Sequence, residues 1–143
     1  MKYQLSSSKG FTLTELLVVL VIIGLLASLV GPVLYQRVNP AKQSVARAQI
    51  ENFMTALDAY YLDMGRFPSQ QQGLSALRSR QDGEAKWNGP YLKKDIPNDP
   101  WGNPFVYRIP GRNGGYEVIS YGADGKEGGD GDNVDVNSWE SKK

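Results

Sequence analysis

The chain has 143 residues, which is the size of a single domain, and a formal net charge of +1. Its basic residues form no stripe, so no nucleic-acid partner is expected. The sequence has no Cys and no His, and this excludes thiol nucleophiles, imidazole bases, disulfides and the usual transition-metal ligands. Carboxylates, hydroxyls and the backbone are the chemical groups that remain, and we therefore expect that the protein is not an enzyme.

The first predicted element is a membrane-spanning helix. Residues 11–34 are mostly apolar, with LLVVLVIIGLLASLV at 16–30. At about 1.5 Å per residue they are long enough to cross a hydrocarbon core of about 30 Å. The alternative is a cleaved secretory signal peptide, but that pattern has a shorter apolar region followed by an Ala-x-Ala-like site, whereas this run ends in Gly31-Pro32. The polarity of the residues that follow favours a leader inside the cell and a domain outside it.

Glu15 is an unusual carboxylate for a membrane segment, because a charge among apolar residues is costly and usually has a partner or a role. One interpretation is that its side chain reaches the membrane surface, since Glu15 lies near the end of the run. The other is a charge partner in a second copy of the chain. Cleavage between Gly10 and Phe11 would create an ammonium about one helical turn from Glu15, and a neighbour's Glu15 could neutralise it during assembly.

The sequence KGFTLTE (9–15), followed by the apolar run and Pro32, resembles the leader of type IV pilins and pseudopilins. The resemblance implies that prepilin peptidase cuts after Gly10, that the new terminal Phe11 is N-methylated, and that Glu15 and Pro32 serve assembly. Residues 1–10 would then be a leader peptide and residues 11–34 a transmembrane and filament-core helix. Residues 35–143 would form a periplasmic domain.

The next predicted element is a second helical stretch. Pro32 predicts a kink and Asn39-Pro40 a break. Apolar residues then recur at spacings of three and four, which predicts an amphipathic helix over about 41–64 with Gly65 as its C-cap. The predicted stripe consists of Ala46, Ile50, Phe53, Leu57, Tyr60 and Met64.

The remainder predicts a small sheet. A short helical patch is expected around 73–80, and brief strands are expected near 105–109 and 116–121. The predicted fold class is α+β: a long N-terminal helix, transmembrane in its first half and amphipathic in its second, packed on a small antiparallel sheet and followed by a calcium-binding C-terminal loop.

Three further stretches resemble the major pseudopilin family of type II secretion systems: RFPSQQQGLSAL (66–77), GPYLKKDIPNDPWGNPFVY (89–107) and SYGADGKEGGDGDNVDVNSW (120–139). Major type IV pilins usually carry a C-terminal disulfide, so the lack of Cys favours a pseudopilin. The resemblance implies a single-pass inner-membrane protein that polymerises into a periplasmic filament and helps to push folded proteins through the outer membrane. Its implied partners are further copies of the chain, minor pseudopilins, prepilin peptidase, the inner-membrane secretion platform and, before assembly, membrane lipid.

Two alternatives to this function stay open. One is a type IV pilin or a pseudopilin of a related system. The other is a membrane-tethered calcium-binding domain that never polymerises, which would need neither the Gly10-Phe11 junction nor Glu15.

The acidic segment, GADGKEGGDGDNVDV (122–136), places carboxylates among glycines, and such oxygen ligands suit Ca²⁺. Its spacing is not that of an EF-hand, and the alternative is a solvated acidic turn. No apolar pocket is indicated that would raise the pKa of one acid for hydrolysis. The family has a calcium site in this loop, which would stabilise the fold where pilins use a disulfide. The ligands that the resemblance implies are the carboxylates of Asp124 and Asp135, the carbonyls of Tyr121 and Lys126, and a further carboxylate from Asp132 or Asp130.

Overall fold

A computed structural model describes residues 10–139, and for residues 31–38 it describes the backbone alone. The elements in chain order are helix α1 (Leu13–Met64), a 3₁₀ helix (Gly73–Leu77), strands β1 (Val106–Arg108) and β2 (Glu117–Ser120), a second 3₁₀ helix (Gly131–Asn133) and strand β3 (Val136–Asn137). The chain divides into two compact units, one up to Val38 and one from Asn39 onward. Residues 1–9 of the predicted leader lie outside the described residues.

The first unit contains the start of α1, which Thr12 and Glu15 cap. Glu15 Oε2 accepts hydrogen bonds from the Thr12 backbone N–H and hydroxyl, both at 2.9 Å, and the Glu15 N–H donates to the Thr12 hydroxyl at 3.2 Å. This reciprocal arrangement is a capping box, which satisfies backbone donors that the first helical turn leaves free. The stretch Leu13–Val30 is long and apolar enough to cross a membrane, and its large apolar side chains are exposed.

The predicted break at Asn39-Pro40 is wrong, because α1 is helical through both residues. A proline removes one backbone donor and crowds the preceding turn. These effects can bend a helix without ending it. The segment AKQSVARAQ that follows has strong helix formers. Local propensity after Pro40 therefore outweighs the loss of one hydrogen bond.

The second unit is built on the predicted apolar stripe of α1. Five of its six members are buried, whereas Met64 is only partly buried. The Phe53 ring meets the edge of Phe105 at a centroid distance of 5.0 Å, and Val118 of β2 and Val136 of β3 complete the same core. The helix ends as predicted at Gly65, whose φ of +70° suits a residue without Cβ and whose N–H donates to the Tyr61 carbonyl at 2.8 Å.

The sheet has three antiparallel strands in the order β1-β2-β3. Val106 pairs with Ile119, and Ser120 pairs with Val136. The two predicted strands are therefore confirmed, each shorter than expected, and the helical patch is the 3₁₀ helix at Gly73–Leu77. Strand β3 was not predicted, because its two residues are too few to show an alternating pattern. The observed class is α+β with a small antiparallel sheet.

A buried carboxylate joins α1 to the loop that follows it. Glu84 is 4% exposed, and its Oε1 accepts hydrogen bonds from the Tyr60 hydroxyl at 2.6 Å, from Arg66 Nη2 at 2.8 Å and from Gln72 Nε2 at 2.8 Å. Burial raises the pKa of Glu84, but the hydrogen bonds from Tyr60 and Gln72 and the charge of Arg66 lower it by more, so the pKa lies below the usual 4.5. The carboxylate stays ionised and holds three separate parts of the chain together.

Candidate functional site

The predicted processing residues lie together at the exposed start of α1. Phe11 is 81% exposed, and a Cβ placed on Gly10 would meet no atom within 4 Å. Glu15 is one helical turn further on, in the capping box with Thr12. Within residues 10–139, the two residues that flank the predicted cleavage site are therefore both exposed. The backbone of Pro32 is helical, and its side chain is outside the description.

The acidic segment folds back on itself between β2 and β3. The Ala123 N–H donates to the Asp132 carbonyl at 2.9 Å, which joins the outgoing and returning parts of the segment. Gly122 has φ of +62°, and a Cβ there would lie 2.8 Å from the Asp132 carbonyl oxygen. Only glycine fits this close approach. The fold therefore uses Gly122 to bring the returning part of the segment against its start.

Asp135 provides the clearest unoccupied acceptor in the segment. Its Oδ2 accepts a hydrogen bond from the Gly128 N–H at 2.9 Å, whereas its Oδ1 is buried and has no hydrogen-bond partner. Asp124 Oδ1 accepts from the Lys126 N–H at 3.1 Å. A buried carboxylate oxygen without a donor is costly unless a cation or another donor compensates it. Its chemistry fits a hard cation that takes oxygen ligands.

Glu127 is paired with two arginines that lie outside the acidic segment. It forms ion pairs with Arg112 and with Arg108, whose Nη2 lies 3.5 Å from Glu127 Oε2. The hydrogen bond from Arg112, with the charges of both arginines, holds the pKa of Glu127 below its usual 4.5. Arg108 also pairs with Glu117 at 3.3 Å and donates to the Tyr121 hydroxyl at 2.6 Å. These contacts tie Glu127 to β1 and to the turn that joins β1 to β2.

The predicted carboxylates do not form a complete metal cluster by themselves. Within residues 10–139, no three Asp, Glu, His or Cys side chains are grouped so as to hold a metal ion. Asp130 is exposed, whereas Asp132 is half-buried. The oxygen-rich composition, the turns at glycine and the unpaired Asp135 Oδ1 do fit a calcium ion, provided that backbone carbonyls complete its ligands.

Sequence reasoning missed two features of this region. Asp99 and Asn103, which lie before β1, hydrogen-bond to Ser120 and to the Gly122 carbonyl, respectively. The motif NDPWGNP has the turn-forming residues that signal a tight turn, but its contact with the acidic segment depends on strand pairing, which local sequence does not encode.

Comparisons with known proteins cover both parts of the chain. Residues 33–139 match the family model described as type II secretion system (T2SS), protein G, and residues 5–31 match the prokaryotic N-terminal methylation motif. A relative in Pseudomonas aeruginosa, a type II secretion system core protein G, is 44% identical over 96% of this chain and 99% of its own. A protein of the same description in Vibrio cholerae is 43% identical over 91% of this chain and 90% of its own.

The fold also resembles a solved structure. The crystal structure of the major pseudopilin from the type 2 secretion system of enterohaemorrhagic Escherichia coli superposes with a TM-score of 0.58 and 28% identity, covering 70% of this chain and 88% of that one. Similarity over both parts of the chain places the protein among pilin-like subunits. It belongs to the type II secretion system protein G family, the major pseudopilins. This family consists of structural subunits, so the prediction that the protein is not an enzyme is confirmed.

Proposed function

We propose that the protein is the major structural subunit of a type II secretion pseudopilus, which polymerises in the periplasm and helps to drive folded proteins through the outer membrane. The observation that carries this proposal is the joint match of residues 5–31 to the methylation motif and of residues 33–139 to the protein G family. A head-to-tail contact between different surfaces of neighbouring copies builds an open helical homopolymer when its rotation does not close into a ring. Minor pseudopilins and the inner-membrane secretion platform are the proposed further partners.

The N-terminal residues supply the anchor in this proposal. Residues 1–10 are the leader that prepilin peptidase removes, residues 11–34 hold the subunit in the inner membrane and later pack in the filament core, and residues 35–143 lie in the periplasm. The apolar stretch Leu13–Val30 with its exposed side chains supports the anchor, since such a surface needs lipid or neighbouring helices around it.

Gly10→Val should block processing. A branched side chain directly before the cleaved bond would obstruct the peptidase, so intact-mass measurement should find the uncut chain in membranes that contain prepilin peptidase. The matched control is Gly24→Val, which adds the same side chain to a glycine with no atom within 4 Å of its Cβ position. This control should yield a mature chain that begins at methylated Phe11. Normal trimming of Gly10→Val would contradict the assigned cleavage site, and an uncut wild-type chain would favour a tethered domain that does not polymerise.

We also propose that the acidic segment binds calcium. Asp124 and Asp135 would supply carboxylates, Tyr121 and Lys126 backbone carbonyls, and Asp132 or Asp130 one further carboxylate. The buried and unpaired Oδ1 of Asp135 supports the proposal. When bound, Ca²⁺ would supply positive charge to Asp135 Oδ1, which otherwise lacks a donor, and would link the two ends of the segment.

Calcium should raise the thermal stability of the full-length chain in detergent micelles. At a free concentration of about 100 times Kd the gain is about 2.7 kcal/mol, which corresponds to a midpoint about 10 °C higher than in chelator. Asp135→Ala should abolish this difference, whereas Asp82→Ala, which removes an exposed carboxylate outside the segment, should preserve it. Circular dichroism during heating measures both midpoints. Equal wild-type midpoints with calcium and with chelator would refute the site.

A further inference from the structure

Asp99, a buried aspartate outside the acidic segment, organises the turn before β1. It is 4% exposed, and its Oδ1 accepts the backbone N–H groups of Trp101 at 3.1 Å and Asn103 at 2.8 Å. The Asp99 N–H in turn donates to the Asn103 carbonyl at 2.8 Å. A carboxylate that accepts two backbone donors fixes a turn more firmly than a neutral side chain does. Asp99 therefore sets the position of the Asn103 backbone, from which the Asn103 side chain extends.

The same turn contacts the chain that leads into the acidic segment at two points. Asp99 Oδ2 accepts a hydrogen bond from the buried Ser120 hydroxyl at 2.5 Å. Asn103 Nδ2 donates to the Gly122 carbonyl at 2.8 Å. Ser120 and Gly122 are the two neighbours of Tyr121, whose carbonyl is one of the proposed calcium ligands. Tyr121 is thus held on both sides by the turn.

The returning part of the acidic segment packs against this fixed point. A Cβ on Gly122 would lie 2.8 Å from the Asp132 carbonyl oxygen and 2.8 Å from the Asn133 carbonyl carbon. The chain then runs two residues further to Asp135, whose Oδ1 is buried without a partner. Whatever fixes Gly122 therefore also fixes the path of the chain toward Asp135.

We propose that Asp99 and Asn103 are positioning residues for the cation site, acting through Ser120 and Gly122 on the Tyr121 carbonyl and on Asp135. This inference rests on the proposed calcium site, and neither side chain is itself a proposed ligand. Groups held in place before a ligand arrives lose less conformational freedom on binding. Loss of a residue that orients metal ligands typically weakens metal affinity by about 10-fold to 100-fold.

The test is the calcium affinity of the full-length chain in detergent micelles, measured by isothermal titration calorimetry. Asn103→Leu keeps a similar side-chain size and removes the amide that holds Gly122. Asn52→Leu is the matched control, because it makes the same substitution at an exposed position of α1, outside both the turn and the acidic segment. We expect Kd to rise at least about tenfold for Asn103→Leu and to stay within about twofold of wild type for Asn52→Leu.

A second variant and a second readout separate positioning from general stability. Ser120→Ala removes the other contact of the turn and should also weaken calcium binding. In chelator, Asn103→Leu should melt within a few degrees of wild type, because it loses one hydrogen bond between neutral groups. Ser120→Ala should melt lower than that, because it also leaves Oδ2 of the buried Asp99 without its donor. If the wild-type chain binds calcium and both variants bind it with unchanged Kd, the positioning role is refuted alone. A wild-type chain that binds no calcium would overturn the proposed site and this inference together.

Discussion

Glu84→Ala should lower the free energy of unfolding of the second unit by about 3 kcal/mol, or its thermal midpoint by about 12 °C. The substitution leaves the buried Tyr60 hydroxyl without its acceptor at 2.6 Å and separates Arg66 and Gln72 from the same oxygen. Replacing a whole buried charged network by apolar side chains is often nearly neutral for stability. Removing one member alone is costly, because the remaining polar groups stay buried without a partner. Circular dichroism of the full-length chain in micelles measures the change.

Two variants show which part of the Glu84 network matters. Asp95→Ala breaks the ion pair with Arg78, but Asp95 is 94% exposed, so the loss should stay below about 1 kcal/mol. Glu84→Gln keeps an acceptor for Tyr60 and removes the negative charge, so its loss should lie between the two. Equal midpoints for Glu84→Ala and Asp95→Ala would mean that the buried network does not stabilise the fold.

The stabilisation by Glu84 should also depend on pH. The pKa of Glu84 in the folded chain lies below 4.5, because hydrogen bonds from Tyr60 and Gln72 and the charge of Arg66 outweigh the effect of burial. A lowered pKa contributes stability that is complete above the unfolded-state value and is lost as the pH falls through the folded-state value. The difference in thermal midpoint between wild type and Glu84→Gln should therefore be constant above about pH 6. It should shrink as the pH falls from about 5 to below the folded-state pKa of Glu84.

Periodic patterns predicted those parts of the fold in which many residues carry the same signal. The stripe from Ala46 to Tyr60 repeats often enough to define a helix face, and the structure buries it as predicted. The break predicted at Pro40 is wrong, because one proline costs the helix less than the helix formers after it contribute. Contacts between distant parts of the chain had no local signal: Asn103 meets Gly122 only because β1 and β2 pair.

The candidate site was predictable to a similar degree. The residue types single out both the Gly10-Phe11 junction and the acidic segment, and the roles of both stay predictions. Which acids are available is a matter of packing, since Glu127 pairs with arginines and Asp135 has a buried free oxygen. The capping box of Thr12 and Glu15 fits the pattern Thr-x-x-Glu, but it was not predicted, because the two roles considered for Glu15 were a charge at the membrane surface and a charge partner in a second copy.

That capping box makes Glu15 a test of two different roles. Glu15→Leu removes both the charge and the cap, whereas Glu15→Gln keeps a side-chain acceptor for the Thr12 N–H and removes the charge alone. If Glu15 neutralises the methylated terminal ammonium of a neighbouring Phe11, both variants should be processed normally and both should form less filament, roughly tenfold less or lower. An ammonium left unpaired among apolar helices costs several kcal/mol, and each 1.4 kcal/mol is a factor of about ten in association.

Thr12→Val is the matched control, because it removes the hydroxyl from the box and leaves the Glu15 charge in place. It should cost about 1 kcal/mol of helix stability and leave filament yield close to wild type. Sheared filament and secreted cargo are measured in cells that lack their own copy of the subunit, and intact mass confirms processing of every variant. Wild-type assembly by Glu15→Gln together with failure of Thr12→Val would show that Glu15 acts by capping α1. Failure of Glu15→Gln despite its intact acceptor would assign the role to its charge.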